Sequence, residues 1–168
     1  MKMNLVLIGM PGCGKTTFGQ VLAKELHRDF YDADQVLEER EKMSIKDFFK
    51  IGEDVFREAE TRTIAYLSEL EGVVIATGGG VVTRAENIEL LRKKGVLLFI
   101  DRRPENIIRC IHDDHRPLLA DDKLKIFRLY EERRDLYKKY ADYIIGNNGA
   151  PDEAIAKIVN YARREGLI

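Results

Sequence analysis

The chain has 168 residues, a length that fits one globular domain, and its composition is 45% hydrophobic and 34% charged. The formal net charge is only −1, so the molecule as a whole offers no electrostatic attraction to nucleic acid or to an anionic membrane. Any affinity for an anion must therefore come from a local cluster of side chains.

Short apolar runs alternate along the chain with longer amphipathic segments, and this alternation predicts an α/β fold with a mainly parallel sheet. The predicted strands are 4–8, 30–31, 73–76, 96–100 and 143–145. The predicted helices with clear bounds are 15–26, 85–93, 124–140 and 151 to about 166, and a further helix begins at 104. The stretch 34–70 is predicted to form several helices, with breaks near 43–44 and at 52. The polar stretch 112–122 is predicted to be irregular.

The two cysteines, Cys13 and Cys110, have neither metal-ligand nor redox-motif spacing, which indicates free thiols and a reducing compartment. The apolar run at the N-terminus is short and leads directly into a glycine-rich loop, so we interpret it as a strand and not as a signal peptide. No segment approaches the ~20 apolar residues of a membrane span. We therefore expect a cytoplasmic protein with no membrane or nucleic-acid partner.

The segment from Gly9 to Thr16 matches the phosphate-binding pattern G-x-x-x-x-G-K-[ST] at every fixed position. An apolar predicted strand precedes it and an amphipathic predicted helix follows it, which is the context that the motif requires. Its glycines let backbone N–H groups approach phosphate oxygens, Lys15 can reach the β- and γ-phosphates, and the Thr16 hydroxyl can bind Mg²⁺. The alternative is an ordinary glycine turn, and the motif alone predicts nucleoside triphosphate binding without specifying a kinase.

Two aspartates follow the second predicted strand. Because side chains alternate along a strand, Asp32 and Asp34 should share a face at the carboxyl end of the sheet, where ligands bind in open α/β folds. Asp32 could hold Mg²⁺ through water, and Asp34 could hydrogen-bond an acceptor hydroxyl and take its proton. The alternative is helix capping, since Asp34 precedes a predicted helix.

Two arginines and a run of three glycines could bind an anionic ligand. Arg57 and Arg133 fall in helical stretches, and a planar guanidinium suits bidentate binding of a carboxylate, although both could instead lie on solvated helix faces. Residues 78–80 are glycines at the end of the third predicted strand, where they permit close approach by a ligand. The alternative for these glycines is a tight turn that needs positive φ.

Arg116 lies in the polar stretch 112–122, which could close over the site as a mobile loop and exclude water. An ordinary surface loop is the alternative, and we interpret His112 and His115 as solvated. Asp101 follows the fourth predicted strand and could support Mg²⁺, but we favour a turn residue at this position.

Six segments, in this order and spacing, make the chain resemble the shikimate kinase family from end to end. They are 9–17, 32–34, 43–45 with 56–57, 78–80, 116–119, and 132–133 with 136–137. The resemblance implies a P-loop kinase with a three-layer α/β/α fold, whose five-stranded parallel sheet has the order 2-3-1-4-5. It also implies a single domain over 1–168, with a substrate-binding helical segment at about 33–61 and a lid at about 111–123.

The activity implied by the resemblance is transfer of the γ-phosphoryl group of ATP to the 3-hydroxyl of shikimate, with Mg²⁺, on the route to chorismate and the aromatic amino acids. We expect ATP and shikimate as the small-molecule substrates of a monomer. The expected ATP-binding residues are Gly12, Cys13, Gly14, Lys15, Thr16, Thr17, Arg109 and Arg116. The expected shikimate-binding residues are Asp34, Arg57, Gly79, Gly80 and Arg133. Catalytic roles are expected for Lys15, Asp34 and Arg116, and metal binding for Thr16 and Asp32.

The chain departs from the family pattern in the loop 146–151 and at residues 134–135. In the loop, we therefore expect adenine contacts to come from the backbone.

Two other functions fit parts of the sequence. One is a kinase of the same fold that acts on gluconate or a nucleoside monophosphate. The other is a nucleotide-binding module without an acceptor, but a guanine-specific switch should carry N-K-x-D, which the sequence lacks.

Overall fold

The computed structural model describes residues 1–12, 14–113 and 120–168, and it places a five-stranded sheet at the centre of the molecule. The strands are β1 (Asn4–Ile8), β2 (Phe30–Asp32), β3 (Val74–Ala76), β4 (Gly95–Asp101) and β5 (Tyr143–Gly146). All neighbouring strands pair in parallel, in the order β2-β3-β1-β4-β5. This confirms the predicted α/β fold and strand order.

Helices connect the strands and cover the sheet. They are α1 (Lys15–Leu26), α2 (Ala33–Glu41), α3 (Ile45–Ile51), α4 (Glu53–Ser68), α5 (Ala85–Arg92), α6 (Pro104–Asp113), α7 (Ala120–Tyr140) and α8 (Pro151–Arg164). Every residue of β1 and β3 is buried, as expected for parallel strands with helices on both faces. Among the described residues, no helix is both long enough and apolar enough to span a membrane.

The predicted irregular stretch 112–122 is too long at both ends. Helix α6 continues to Asp113, and α7 begins at Ala120, four residues before the predicted start at 124. Asp121 and Asp122 occupy the first turn of α7, where carboxylates are favoured by the helix dipole. The sequence predicts a loop here because most of these residues are polar.

A separate apolar cluster holds the three helices that follow β2. Leu37, Phe48, Phe56 and Ala59 pack together from α2, α3 and α4. The breaks between these helices occur where the sequence predicts them. Ser44 caps α3, because its Oγ accepts a hydrogen bond from the Asp47 N–H at 3.1 Å, and the single residue between α3 and α4 is a glycine at position 52. This cluster fixes α4 beside the carboxyl end of the sheet.

Candidate active site

A cavity of about 920 Å³ opens where the carboxyl ends of the strands meet, and its size is within the range of small-molecule sites. Its wall comes from the loop after β1, the start of α2, helices α3 and α4, the glycines after β3, and α7. The predicted site residues that line it are Gly12, Gly14, Lys15, Thr16, Thr17, Asp32, Asp34, Arg57, Gly79, Gly80 and Arg133. Segments far apart in the sequence therefore meet in one cavity.

Three predicted site residues are not found in this wall. Arg109 lies on α6 with an exposed side chain and does not line the cavity, so its contact with adenine stays a prediction. Cys13, Arg116 and residues 114–119 of the predicted lid lie outside the described part of the chain.

The phosphate loop (residues 9–16) has the backbone conformation that its glycines permit. Gly12 and Gly14 have φ of 76° and 95°, in the left-handed region that favours glycine. The buried Lys15 folds back over the loop, and its Nζ donates hydrogen bonds to the carbonyl oxygens of Gly9 at 2.7 Å and Met10 at 2.8 Å. The ammonium group and the amino end of α1 thus converge on the same space.

Asp32 links the phosphate loop to α2. Its Oδ2 accepts a hydrogen bond from the Thr16 hydroxyl at 2.8 Å, and its Oδ1 accepts from the backbone N–H groups of Asp34 at 3.0 Å and Gln35 at 3.3 Å. Asp32 is therefore the N-cap of α2, so the prediction that Asp34 might cap this helix is wrong.

The strand argument for Asp34 is also wrong. Strand β2 ends at Asp32 and α2 begins at Ala33, so Asp34 belongs to the first helical turn and not to the strand. Both carboxylates still line the cavity, because the helix starts directly at the carboxyl end of the sheet. The prediction of a shared site was reached by the wrong geometry.

The carboxylates of Asp34 and Glu60 approach each other above Gly78. A β-carbon built on Gly78 would lie 2.9 Å from Oδ1 of Asp34 and 3.1 Å from Oε2 of Glu60. Burial raises the pKa of Asp34 to about 6, and the negative charges of Asp32 and Glu60 add to this effect against the opposing charge of Lys15. A carboxyl group with such a pKa can exchange a proton near neutral pH.

Arg57 is buried on α4 and is held by two acids. Its Nη1 donates to Oε1 of Glu60 at 2.9 Å, and its Nη2 lies 3.4 Å from Oε1 of Glu53, whose side chain is exposed. Burial raises the pKa of Glu60, while the positive charges of Arg57, Arg133 and Arg84 oppose this rise. Arg57 and Arg133 thus act on the same carboxylate, and both line the cavity.

The three glycines 78–80 (the glycine loop) are explained by close contacts and not by turn geometry. None of the three has positive φ, so the alternative of a tight turn that requires it is wrong. A β-carbon on Gly79 would come within 2.6 Å of the Pro11 ring, and one on Gly80 would overlap the guanidinium of Arg57. Glycine is needed here because other groups of the site pack against the α-carbons.

Some lining residues received no role from the sequence. They are Ile45, Phe49, Phe56, Glu53, Glu60, Lys125, Leu129 and Glu132. Ile45, Phe49 and Phe56 give the cavity an apolar side next to the two arginines. Glu60 follows Arg57 by three residues, and this helical spacing between an acid and a base was the signal that could have identified it.

Thr16 and Asp32 fit a magnesium site. Among the described residues, no group of three or more acidic, histidine or cysteine side chains could hold a metal ion by itself. Magnesium is commonly bound by one or two carboxylates together with substrate phosphates and water. The adjacent hydroxyl and carboxylate beside the phosphate loop match that requirement.

Comparisons with known proteins agree on one family. The family model for shikimate kinase matches residues 11–163. A shikimate kinase from Clostridium botulinum (strain Eklund 17B / Type B) is 46% identical over 158 residues, which are 94% of this chain and 96% of that protein.

Solved structures give the same result. Shikimate kinase from Acinetobacter baumannii in complex with shikimate is similar with a TM-score of 0.88 and 34% identity, covering 99% of this chain and 96% of that chain. Shikimate kinase from Aquifex aeolicus has a TM-score of 0.81 and 34% identity, covering 98% of this chain and 99% of that chain. The sequence and the fold thus agree on one group of proteins, and this chain belongs to the shikimate kinase family.

Proposed function

We propose that this chain is an enzyme that transfers the γ-phosphoryl group of ATP to the 3-hydroxyl of shikimate, giving shikimate 3-phosphate and ADP in the biosynthesis of chorismate and the aromatic amino acids. The observation that carries the proposal is a single cavity that contains the phosphate loop, two arginines and an aspartate of raised pKa. A hydroxylated carboxylic acid needs cations for its carboxylate and a hydrogen-bond acceptor for its hydroxyls.

In this proposal the phosphate loop binds the triphosphate of ATP. The left-handed glycines Gly12 and Gly14 allow backbone N–H groups to turn toward phosphate oxygens, at the amino end of α1. Lys15 exchanges its hydrogen bonds with the loop carbonyls for contacts with the β- and γ-phosphates. Cys13, Thr16 and Thr17 complete the ATP-binding loop.

Shikimate is bound on the opposite side of the same cavity. Arg57 and Arg133 bind its carboxylate, and Glu60 fixes the Arg57 guanidinium from the buried side. Asp34 accepts hydrogen bonds from the acceptor hydroxyls, and the backbone of Gly79 and Gly80 closes one side. Ile45, Phe49 and Phe56 contact the apolar surface of the acceptor ring.

The reaction itself is an in-line transfer between two bound substrates. Asp34 orients the acceptor hydroxyl and takes its proton as the oxygen attacks the γ-phosphorus, and the terminal P–O bond of ATP breaks with ADP as the leaving group. Lys15 and Arg116 stabilise the negative charge of the migrating group. Arg109 is proposed to stack on adenine, and closure of the segment around Arg116 excludes water from the transfer.

We propose Thr16 and Asp32 as the residues that hold Mg²⁺, because their side-chain oxygens lie 2.8 Å apart beside the phosphate loop. When bound there, the ion neutralises phosphate charge. We further propose that the enzyme is a monomer and that it works in the cytoplasm. The proposed location agrees with two cysteines that lack the spacing of a redox or metal motif.

Acceptor-dependent release of ADP tests this function directly. The purified chain should consume ATP with shikimate and show little turnover with quinate, gluconate or nucleoside monophosphates. Faster turnover with gluconate or a nucleoside monophosphate would assign the chain to another small-molecule kinase of the same fold. Nucleotide binding without turnover on any acceptor would favour a nucleotide-binding module.

A further inference from the structure

A tyrosine from α7 is hydrogen-bonded to the glycine loop. The hydroxyl of Tyr137 donates to the carbonyl oxygen of Gly79 at 2.5 Å. The Tyr137 side chain is completely buried, and its ring stacks on Phe99 of β4 with centroids 5.0 Å apart. A phenylalanine would satisfy this packing without placing a hydroxyl in the core, where polar groups are unfavourable unless they are hydrogen-bonded.

The hydrogen bond fixes the orientation of the peptide that joins Gly79 to Gly80. The carbonyl of Gly79 and the N–H of Gly80 belong to one planar trans peptide unit, so they point in opposite directions. With the carbonyl held by Tyr137, the N–H of Gly80 points away from α7. The hydrogen bonds formed within the described part of the chain include no acceptor for this N–H.

The same peptide lies between Arg57 and the phosphate loop. Gly80 packs against the guanidinium of Arg57, and Gly79 packs against Pro11. Arg133 lies one helical turn before Tyr137 on α7. The Tyr137 hydroxyl therefore ties the helix that carries one arginine to the loop that supports the other.

We propose that Tyr137 is a positioning residue of the acceptor site. Its hydroxyl holds the Gly79–Gly80 peptide in the orientation that supports the Arg57 guanidinium and presents the Gly80 N–H to the acceptor. The tyrosine does not touch either substrate and acts through the glycine loop and α7. This inference rests on the proposed function, because it concerns how the same site binds shikimate.

The Tyr137→Phe variant tests the inference, since it removes the hydroxyl and keeps the ring. The KM for shikimate should rise about tenfold, the typical effect of losing a buried hydrogen bond, while kcat and the KM for ATP stay within about twofold. Tyr130→Phe is the matched control. Tyr130 lies on the same helix, and its hydroxyl donates a hydrogen bond to Oδ1 of Asp101 at 3.2 Å. Neither Tyr130 nor Asp101 lines the cavity. The kinetic constants of Tyr130→Phe should equal those of the unmodified chain.

A second measurement does not depend on any variant. The backbone amide resonance of Gly80 in ¹⁵N-labelled protein should shift downfield when shikimate is added and remain unchanged when ATP is added alone. The inference is overturned if Tyr137→Phe lowers the Tm and changes kcat, the KM for shikimate and the KM for ATP in parallel. It is equally overturned if none of these three constants changes. It is also overturned if the Gly80 resonance does not respond to shikimate.

The same kinetic measurements separate the proposed function from the role of Tyr137. An unmodified chain without shikimate-dependent ADP release would contradict the proposed function itself. If the unmodified chain turns over shikimate and Tyr137→Phe equals it in every constant, only the role of Tyr137 is lost.

Discussion

The guanidinium of Arg57 lies directly against the α-carbon of Gly80, so closely that a methyl group on that carbon would overlap it. Gly80 has φ of −95°, which other residues adopt without strain, so its lack of a side chain is explained by this contact alone. This contact joins α4, which carries Arg57, to the loop after β3. It suggests that the position of the arginine is set by the shape of its surroundings as well as by its ion pair with Glu60.

Gly80→Ala should therefore displace Arg57 and raise the KM for shikimate at least about tenfold, with little change in the KM for ATP. Steady-state kinetics with each substrate varied in turn would measure both effects. The matched control is a double-mutant cycle. In an Arg57→Ala background the added methyl group has nothing to displace, so Gly80→Ala should then have almost no further effect. Equal effects in both backgrounds would show that the methyl group acts by another route.

Arg57→Ala should raise the KM for shikimate by about 30- to 700-fold, corresponding to the ~2–4 kcal/mol that is typical when a charged partner is removed. Arg62→Ala is a control on the same helix, since Arg62 pairs with Glu41 at 2.8 Å and its side chain is largely exposed. That variant should bind shikimate normally. Unaltered shikimate kinetics in Arg57→Ala would remove the arginine from the acceptor site.

The activity should depend on the protonation of Asp34. Since its pKa is raised to about 6 and the proposed role needs the carboxylate, kcat/KM for shikimate should fall as the pH drops below about 6. Asp34→Asn should have a much lower kcat, retain ATP binding and lose this pH dependence. A pH profile of the unmodified chain that stays flat between pH 5 and 7 would contradict the assignment.

The raised pKa of Asp34 also affects the stability of the fold, and the direction of this effect can be measured. The carboxyl group titrates near its ordinary value of about 4 when unfolded and near 6 when folded, so folding favours the protonated form. Its contribution to stability is present below about pH 4 and is lost as the pH rises through 6. In the absence of substrates, the Tm of Asp34→Asn relative to the unmodified chain should therefore be higher at pH 7 than at pH 4.

Asp32→Asn should raise the Mg²⁺ concentration that gives half-maximal activity. An asparagine can still accept the capping hydrogen bonds at the start of α2 through its oxygen, but it removes the negative charge next to Thr16. Asp101→Asn is the control, because Asp101 also ends a strand but does not line the cavity. A shift of the Mg²⁺ requirement in Asp101→Asn, with none in Asp32→Asn, would place the ion at the other strand.

The parts of the fold with a strong local signal were predicted well. The phosphate loop, the five strands and the breaks after α2 and α3 follow from glycines, apolar runs and capping residues that act over a few positions. The start of α7 was missed because most residues of its first turn are charged and resemble a loop in composition. Local polarity alone cannot distinguish a solvated helix from a loop.

The candidate site was predicted less evenly, since its contacts are long-range. Asp34 was placed in the cavity by an incorrect strand argument, and the structure shows instead that α2 begins immediately after Asp32. Glu60 received no role, because its spacing of three residues from Arg57 also occurs in solvated ion pairs and does not reveal its burial. The contact between Gly80 and Arg57 joins residues 23 positions apart and depends on how α4 packs against the sheet.

In the proposed site the two arginines select the acceptor by its carboxylate, and the most direct test compares shikimate with its uncharged carboxamide. In the unmodified chain, kcat/KM should be at least about 30-fold higher for shikimate, because the carboxamide cannot pair with a guanidinium as an ion. In Arg57→Ala this preference should largely disappear. An equal preference for shikimate in both proteins would contradict the account.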